Sequence, residues 1–208
     1  LGVALVIGLG LGAVTTLSRF RLLRMAGGLI TALVLAAPIY WLGTLAILLF
    51  SLQLRWLPSA GDGSELRFLI LPWLALGLAS AGGFARLTAA LLGETRRADF
   101  IRTAHAKGLA RRTVFRRHML RAGAGPLIAF AALQTGFLLG GAAVTEMLFV
   151  RRGLGQTLLN AVQDRDFPVV QGLVVLSALV YSTVTTGADL LAAWLDPRLR
   201  VSKYAAPE

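Results

Sequence analysis

The chain has 208 residues, 56% of them hydrophobic and 15% charged, with 21 Lys and Arg against 10 Asp and Glu for a net charge of +11. Soluble domains are about 45–50% apolar and about 25% charged, so this balance excludes an ordinary soluble globule; a mean hydropathy of +0.72 points to a membrane protein. Without cysteine there are no disulfides and no thiolate metal sites.

A membrane-spanning helix needs about 20 predominantly apolar residues. The first apolar run, residues 1–17, is short and opens on Leu1 rather than Met, which leads us to expect a missing N-terminal span. Further runs cover 26–52, 68–92, 126–150 and 169–195, so about five spans of an expected six are predicted. Pro38 lies inside the second and reads as a helix kink, tolerated because neighbours re-satisfy the freed carbonyl. Gly- and Ala-rich stretches such as "GLGLGA" (Gly8 to Ala13) and "LLGGAA" (Leu138 to Ala143) suit close helix contact in lipid. Leu, Ala and Gly dominate over alternating β-branched residues, which argues against a membrane β-barrel. The predicted fold class is an all-α polytopic membrane protein, one domain over 1–208.

Charge sets the topology. Arg19, Arg21 and Arg24, Arg86, the basics from Arg96 to Arg121, and Arg198, Arg200 and Lys203 make 16 on one side. Arg55, Arg67, Arg151, Arg152 and Arg165 make 5 on the other. The positive-inside rule places the 93–125 loop and the C-terminal tail in the cytoplasm. A pI of 11.6 would also suit a nucleic-acid binder, but topology already accounts for the charge, and no nucleic-acid partner is expected.

Within the loop, Asp99 reads as an N-cap for a helix over Phe100 to Lys107, closed by Gly108 at C′. Phe100, Ile101 and Ala104 share one face, and Arg102 and His105 point elsewhere. A second helix is predicted from about Ala110 to Arg121, with Val114, Phe115, His118 and Met119 as its stripe. Its opposite face sets Arg112 against Arg116 and Arg117 against Arg121 at i,i+4, spacings that destabilise an isolated helix by about 0.2–0.5 kcal/mol each. By charge alone, this is a solvated loop held by anionic lipid at about 1 kcal/mol per basic residue.

The uncharged residues say more. "RTAHAKGL…RHMLRAGAGP" (Arg102 to Pro126) resembles the cytoplasmic EAA loop of permease subunits of binding-protein-dependent ABC importers. It looks like the dipeptide/oligopeptide/nickel branch, in which Arg replaces the Glu of Glu-Ala-Ala. "PIYWLG" (Pro38 to Gly43), "ARLT" (Ala85 to Thr88), "GGAAVTEMLF" (Gly140 to Phe149), "RDFPVVQG" (Arg165 to Gly172) and "LDPRLR" (Leu195 to Arg200) follow that branch in order. Arg151-Arg152 departs from its usual Trp-Pro.

The resemblance implies a type I ABC importer transmembrane-domain fold in a bacterial inner membrane, with the C-terminus cytoplasmic. It implies a coupling helix that docks on a cytoplasmic ATPase, made of Asp99, Arg102, Thr103, Ala104, His105, Lys107 and Gly108. The implied partners are a second homologous permease, two ATPase subunits, an extracytoplasmic substrate-binding protein and membrane lipid; the substrates are peptides or nickel. No G-x-x-x-x-G-K-[ST] phosphate loop occurs in the chain, so ATP and Mg belong to the ATPases and no cofactor is expected here.

Charges within the spans are costly and normally face a cavity or a partner. Glu146 is the leading translocation-path candidate, against interhelical pairing or interfacial snorkelling; Pro38 is the second. Asp189 and Arg86 read as snorkelling toward the cytoplasm. Residues 153–168, with Gly153-Leu154-Gly155 and "QTLLNAVQ", are by the resemblance a re-entrant or surface helix facing the binding protein; the alternative is an interfacial helix in headgroups. Ser80 reads as helix packing rather than a nucleophile, and with no H-E-x-x-H or G-x-S-x-G signature the chain is not read as an enzyme. The alternative is a stand-alone secondary transporter with an anionic-lipid-binding basic loop.

Overall fold

The computed structural model describes residues 1–61 and 65–195, and all regular structure among them is helical. The helices are α1 (Gly2–Leu17), α2 (Arg21–Ala36), α3 (Ile39–Ala46, continuing as a π-helix over Ile47–Gln53), α4 (Arg67–Arg97), α5 (Asp99–Ala106), α6 (Arg111–Val114), α7 (Leu120–Leu148), α8 (Leu154–Gln163) and α9 (Phe167–Leu195). A π-helical turn over Phe115–Met119 joins α6 to α7. The tail from 196, including Arg198, Arg200, Lys203 and most of "LDPRLR", lies outside the described residues.

α4 is the central post. It packs most extensively along α1 and also meets α2, α3 and α7, while α9 rests on α7 and α8. Half of its most apolar stretch is buried, against 6% for α7 and none for α9. The α1–α4 crossing depends on small residues, as the Gly-rich run predicted. A Cβ on Gly12 would come within 2.6 Å of the Ala85 carbonyl oxygen, and one on Gly8 within 2.8 Å of the Ala81 oxygen. The two glycines are four apart on one face, a small-xxx-small pattern that lets backbones touch where lipid supplies no hydrophobic drive. Gly82 is pressed on Leu35 of α2 in the same way.

Two apolar clusters lie toward opposite ends of α4. Toward its Arg67 end, Leu71 and Ala75 meet Ala46 and Phe149. Toward its Arg97 end, Leu92 meets Ile101, Ala104, Val114 and Met119. The second cluster positions the basic loop.

Several expectations are corrected. Among the described residues three helices, not five, are long and apolar enough to span, or four if a bent pair counts as one. α1 has 16 residues, about 24 Å of helix against a hydrocarbon core of about 30 Å. The 26–52 run is no kinked helix: α2 already starts at Arg21, and the axis turns by 109° at Ala37-Pro38. Ala37 is extended (φ −77°, ψ 125°), because a proline ring denies helical geometry to the residue before it. The basic loop is shorter than 93–125, since α4 runs to Arg97 and one helix continues from Arg112 to Leu148 with Pro126 inside it. The predicted helix from Ala110 to Arg121 is thus the first part of a span.

Candidate functional site

α5 is a two-turn helix whose start and stop are both local. Its N-cap is Ala98, in extended backbone with no side-chain cap; Asp99 is the first helical residue and not the cap, so the helix starts one residue earlier than expected. There its carboxylate favours the positive end of the helix dipole and meets Arg102 at 3.5 Å in an exposed i,i+3 pair, a geometry worth little in water. Thr103 Oγ1 donates back to the Asp99 carbonyl at 3.0 Å.

The C-terminus is a Schellman motif. The Gly108 N–H donates to the His105 carbonyl at 2.9 Å and the Leu109 N–H to the Ala104 carbonyl at 3.3 Å. Gly108 takes φ +75°, a left-handed conformation that glycine adopts without a Cβ penalty. The expected glycine stop is therefore present, and a Cβ there would meet nothing within 4 Å.

Burial divides the residues of α5 and its closing turn into two sets. Ile101 (2% exposed) and Ala104 (5%) face inward onto Leu92, Val114 and Met119. Arg102, Thr103, His105, Lys107 and Gly108 are exposed together on the outer side. Ala104 thus belongs to the seat of the helix, where a small residue lets α5 sit close, and not to its outer face. Phe100, expected on the apolar face, is half exposed beside the polar residues. Its neighbour Ile101 takes the inward position, and periodicity over eight residues cannot choose between adjacent apolar side chains.

The stripe of the following helix is largely as expected, with Val114 and Met119 buried and Phe115 and His118 partly so. Arg112, Arg116 and Arg117 line an open basic cleft of about 590 Å³ with Thr113. Basic side chains also cap carbonyls at the end of α1. Arg96 donates to the Thr16 carbonyl at 3.3 Å and Arg24 to that of Ser18 at 3.1 Å, which satisfies acceptors a helix C-terminus leaves over.

Glu146 lies at the other end of α7, and its carboxylate is engaged. Its Oε2 accepts the Gln156 N–H at 2.8 Å, the third helical residue of α8, and the group rests on the Gly153 cap where a side chain would collide with it. Gly155 is pressed just as closely on Ala143. A charge-assisted bond from a helix N-terminus offsets the cost of placing a carboxylate here. α7 itself ends in a second Schellman motif, with Arg151 N–H donating to the Glu146 carbonyl at 2.8 Å and Val150 at φ 51°. A re-entrant helix was among the expectations for this segment, but its contact with Glu146 was not, although Gly153 and Gly155 beside a lone acid were a signal for it.

Pro38 caps α3 and lines an open apolar cleft of about 610 Å³ in the α2–α3 elbow, with Leu33, Tyr40 and Trp41 among its walls. It lies on a different element from Glu146 and the loop. Ser80 is buried in α4, Asp189 is exposed on α9, and Leu158 and Leu159 of α8 are partly buried with Val162 exposed. No group of three or more His, Cys, Asp or Glu that could hold a metal stands together among the described residues.

Comparison with known proteins agrees with this layout. Residues 4–201 match the family described as binding-protein-dependent transport system inner membrane component. The glutathione transport system permease protein GsiC of Pectobacterium atrosepticum is 36% identical over 197 residues, covering 95% of this chain and 64% of that protein. GsiC of Escherichia coli K12 gives the same identity and coverage. The chain therefore spans less than two thirds of the length of these curated relatives. A chain of the MetNI methionine ABC transporter, solved in inward facing conformations, superposes with a TM-score of 0.75 at 19% identity. The match covers 94% of this chain and 88% of that one, and it shows the shared type I importer transmembrane fold.

Proposed function

Because the chain belongs to the binding-protein-dependent transport system inner membrane component family, on its peptide–nickel side, we propose that it is the permease subunit of an ATP-driven peptide importer. In this reading it is one multi-pass inner-membrane domain with the basic loop and C-terminus in the cytoplasm. It pairs with a second, homologous permease to form the path, and two ATPase subunits bind ATP and Mg and drive it. An extracytoplasmic binding protein delivers the substrate.

The observation that carries this reading is α5. A short helix is seated from beneath by Ile101 and Ala104, closed by the Gly108 turn, and left with Phe100, Arg102, Thr103, His105 and Lys107 facing out. A solvated loop held only by lipid needs no such seat, whereas a helix that transmits a push between two bodies must be rigidly backed on one side. Phe100 supplies an aromatic anchor and the cations a polar rim, the composition of a docking patch. A stand-alone secondary transporter would leave this element without a task. Glu146 serves the path indirectly, holding α8 at the outer end, and the Pro38 elbow sets the direction in which α3 enters the bundle.

The test is to reconstitute the complete importer with Phe100→Ala and with Arg102→Glu/Lys107→Glu. Membrane insertion and permease pairing should persist, while ATP-driven uptake falls at least about tenfold, as loss of an interface anchor implies. Unchanged uptake in both variants would refute the docking assignment.

A further inference from the structure

Among the described residues, Arg86 is a cation without a counter-group at hydrocarbon depth. α4 has 31 residues, about 46 Å of helix, which matches a full bilayer of about 40–45 Å with Arg67 at one face and Arg96 and Arg97 at the other. Its middle 20 residues, about 72–92, then occupy the hydrocarbon, and Arg86 lies about 9 Å inside the inner boundary. The side chain is exposed on the helix surface. Among the described residues it makes no ion pair and no hydrogen bond.

A lipid-facing guanidinium at this depth is expensive, so such residues face a cavity or a partner. Here a cavity exists: an open cleft of about 360 Å³ where α1, α2 and α4 meet, which Arg86 lines with Thr15, Gly28 and Thr31. A Cβ on Gly28 would meet nothing within 4 Å, so there is room beside it. Both threonine hydroxyls already donate, Thr15 to the Gly12 carbonyl and Thr31 to the Gly27 carbonyl, each at 2.8 Å. Arg86 is therefore the cleft side chain with hydrogens to give, and a guanidinium has five donors and no acceptor. The complement is an anionic group made only of acceptors.

From this geometry we propose that Arg86 is a transient binding residue for the carboxylate of the transported peptide as it passes the inner half of the membrane. The inference rests on the peptide-importer reading and adds a specificity element to it. A phospholipid phosphate belongs to the headgroup layer, beyond a hydrocarbon boundary that lies about 9 Å along the helix from residue 86, whereas every unmodified peptide carries a terminal carboxylate through the path. One guanidinium in an open cleft holds such a group weakly, as a passage site requires for release.

The experiment uses the whole importer in proteoliposomes, with trialanine and trialanine amide as probes, in wild type, Arg86→Gln and Arg86→Lys. The acid-to-amide uptake ratio of each variant is divided by that of wild type, so the binding protein's own preference cancels. Arg86→Gln should lower this ratio about tenfold, the size of a lost charge-assisted bond, with copurification of all subunits and basal ATPase activity retained. Arg86→Lys should keep most of the preference. An unchanged ratio in Arg86→Gln overturns the proposal, and so does loss of subunits from that variant, which would make Arg86 one half of a fixed ion pair with the neighbouring permease. If wild type imports neither probe under ATP, the peptide-importer reading fails instead.

Discussion

Replacing Glu146 should release α8 from the end of α7 without disturbing the span itself. The carboxylate makes one charge-assisted bond to the Gln156 N–H at 2.8 Å and stands at the N-terminus of a ten-residue helix. A hydrogen bond to a charged group contributes about 1.5–3 kcal/mol, and a lost N-terminal cap costs about 0.5–2 kcal/mol. These describe one interaction from two directions, so about 2 kcal/mol is expected for Glu146→Ala. Glu146→Gln keeps a carbonyl acceptor but loses the charge, and about 1 kcal/mol follows from the dipole contribution alone. Amide hydrogen exchange of residues 154–163 in lipid nanodiscs reads this directly. Local opening should become about 30-fold more frequent in Glu146→Ala and about fivefold in Glu146→Gln, with residues in the middle of α7 unchanged. Wild-type protection of α8 in Glu146→Ala would refute the cap and return Glu146 to the path as a free carboxylate.

Gly108 offers a test that separates strain from docking. Asn tolerates the left-handed region better than Ala but is larger, so uptake by Gly108→Asn above that of Gly108→Ala indicates backbone strain, and the reverse order indicates steric seating in a partner; docking predicts the reverse order. Gly12→Ala should force α1 off α4, since the new Cβ would lie 2.6 Å from the Ala85 carbonyl oxygen; overpacking of this kind costs about 1–3 kcal/mol and should lower the midpoint of thermal unfolding in detergent. Val150→Gly should raise it, because a β-branched residue at φ 51° carries about 1–2 kcal/mol of strain, more than the entropy that glycine adds. Val150 is 63% exposed, so little packing is lost in exchange, and a lowered midpoint would count against the strained-cap reading.

What could be read from the chain without coordinates was what neighbouring residues decide among themselves. Apolar run length and residue choice established an all-helical membrane protein, and the asymmetry of Arg and Lys divided its loops into two groups. The helix of the basic loop was legible to within a residue or two, because Gly108 is a stop signal that acts on the last turn before it. The ordered motifs pointed to the importer family that the comparisons then showed.

Contacts between distant residues decided the rest. Periodicity put Phe100, Ile101 and Ala104 on a shared face, but the cluster around Leu92 and Met119 took only Ile101 and Ala104 as the seat and left Phe100 outside. The charge run from Arg111 read as a separate short helix within the loop, yet it continues without a break into the span that follows, its Val114 and Met119 buried. A proline in an apolar run signals a bend but not its size, and the 109° turn at Pro38 follows from how α2 and α3 pack separately on α4. For Glu146 the sequence left the path and interhelical pairing both open, because its partner, the start of α8, comes to it only when the chain folds back past Gly153. Local sequence sets which conformations are cheap, and the close contact of helices far apart in the chain selects among them.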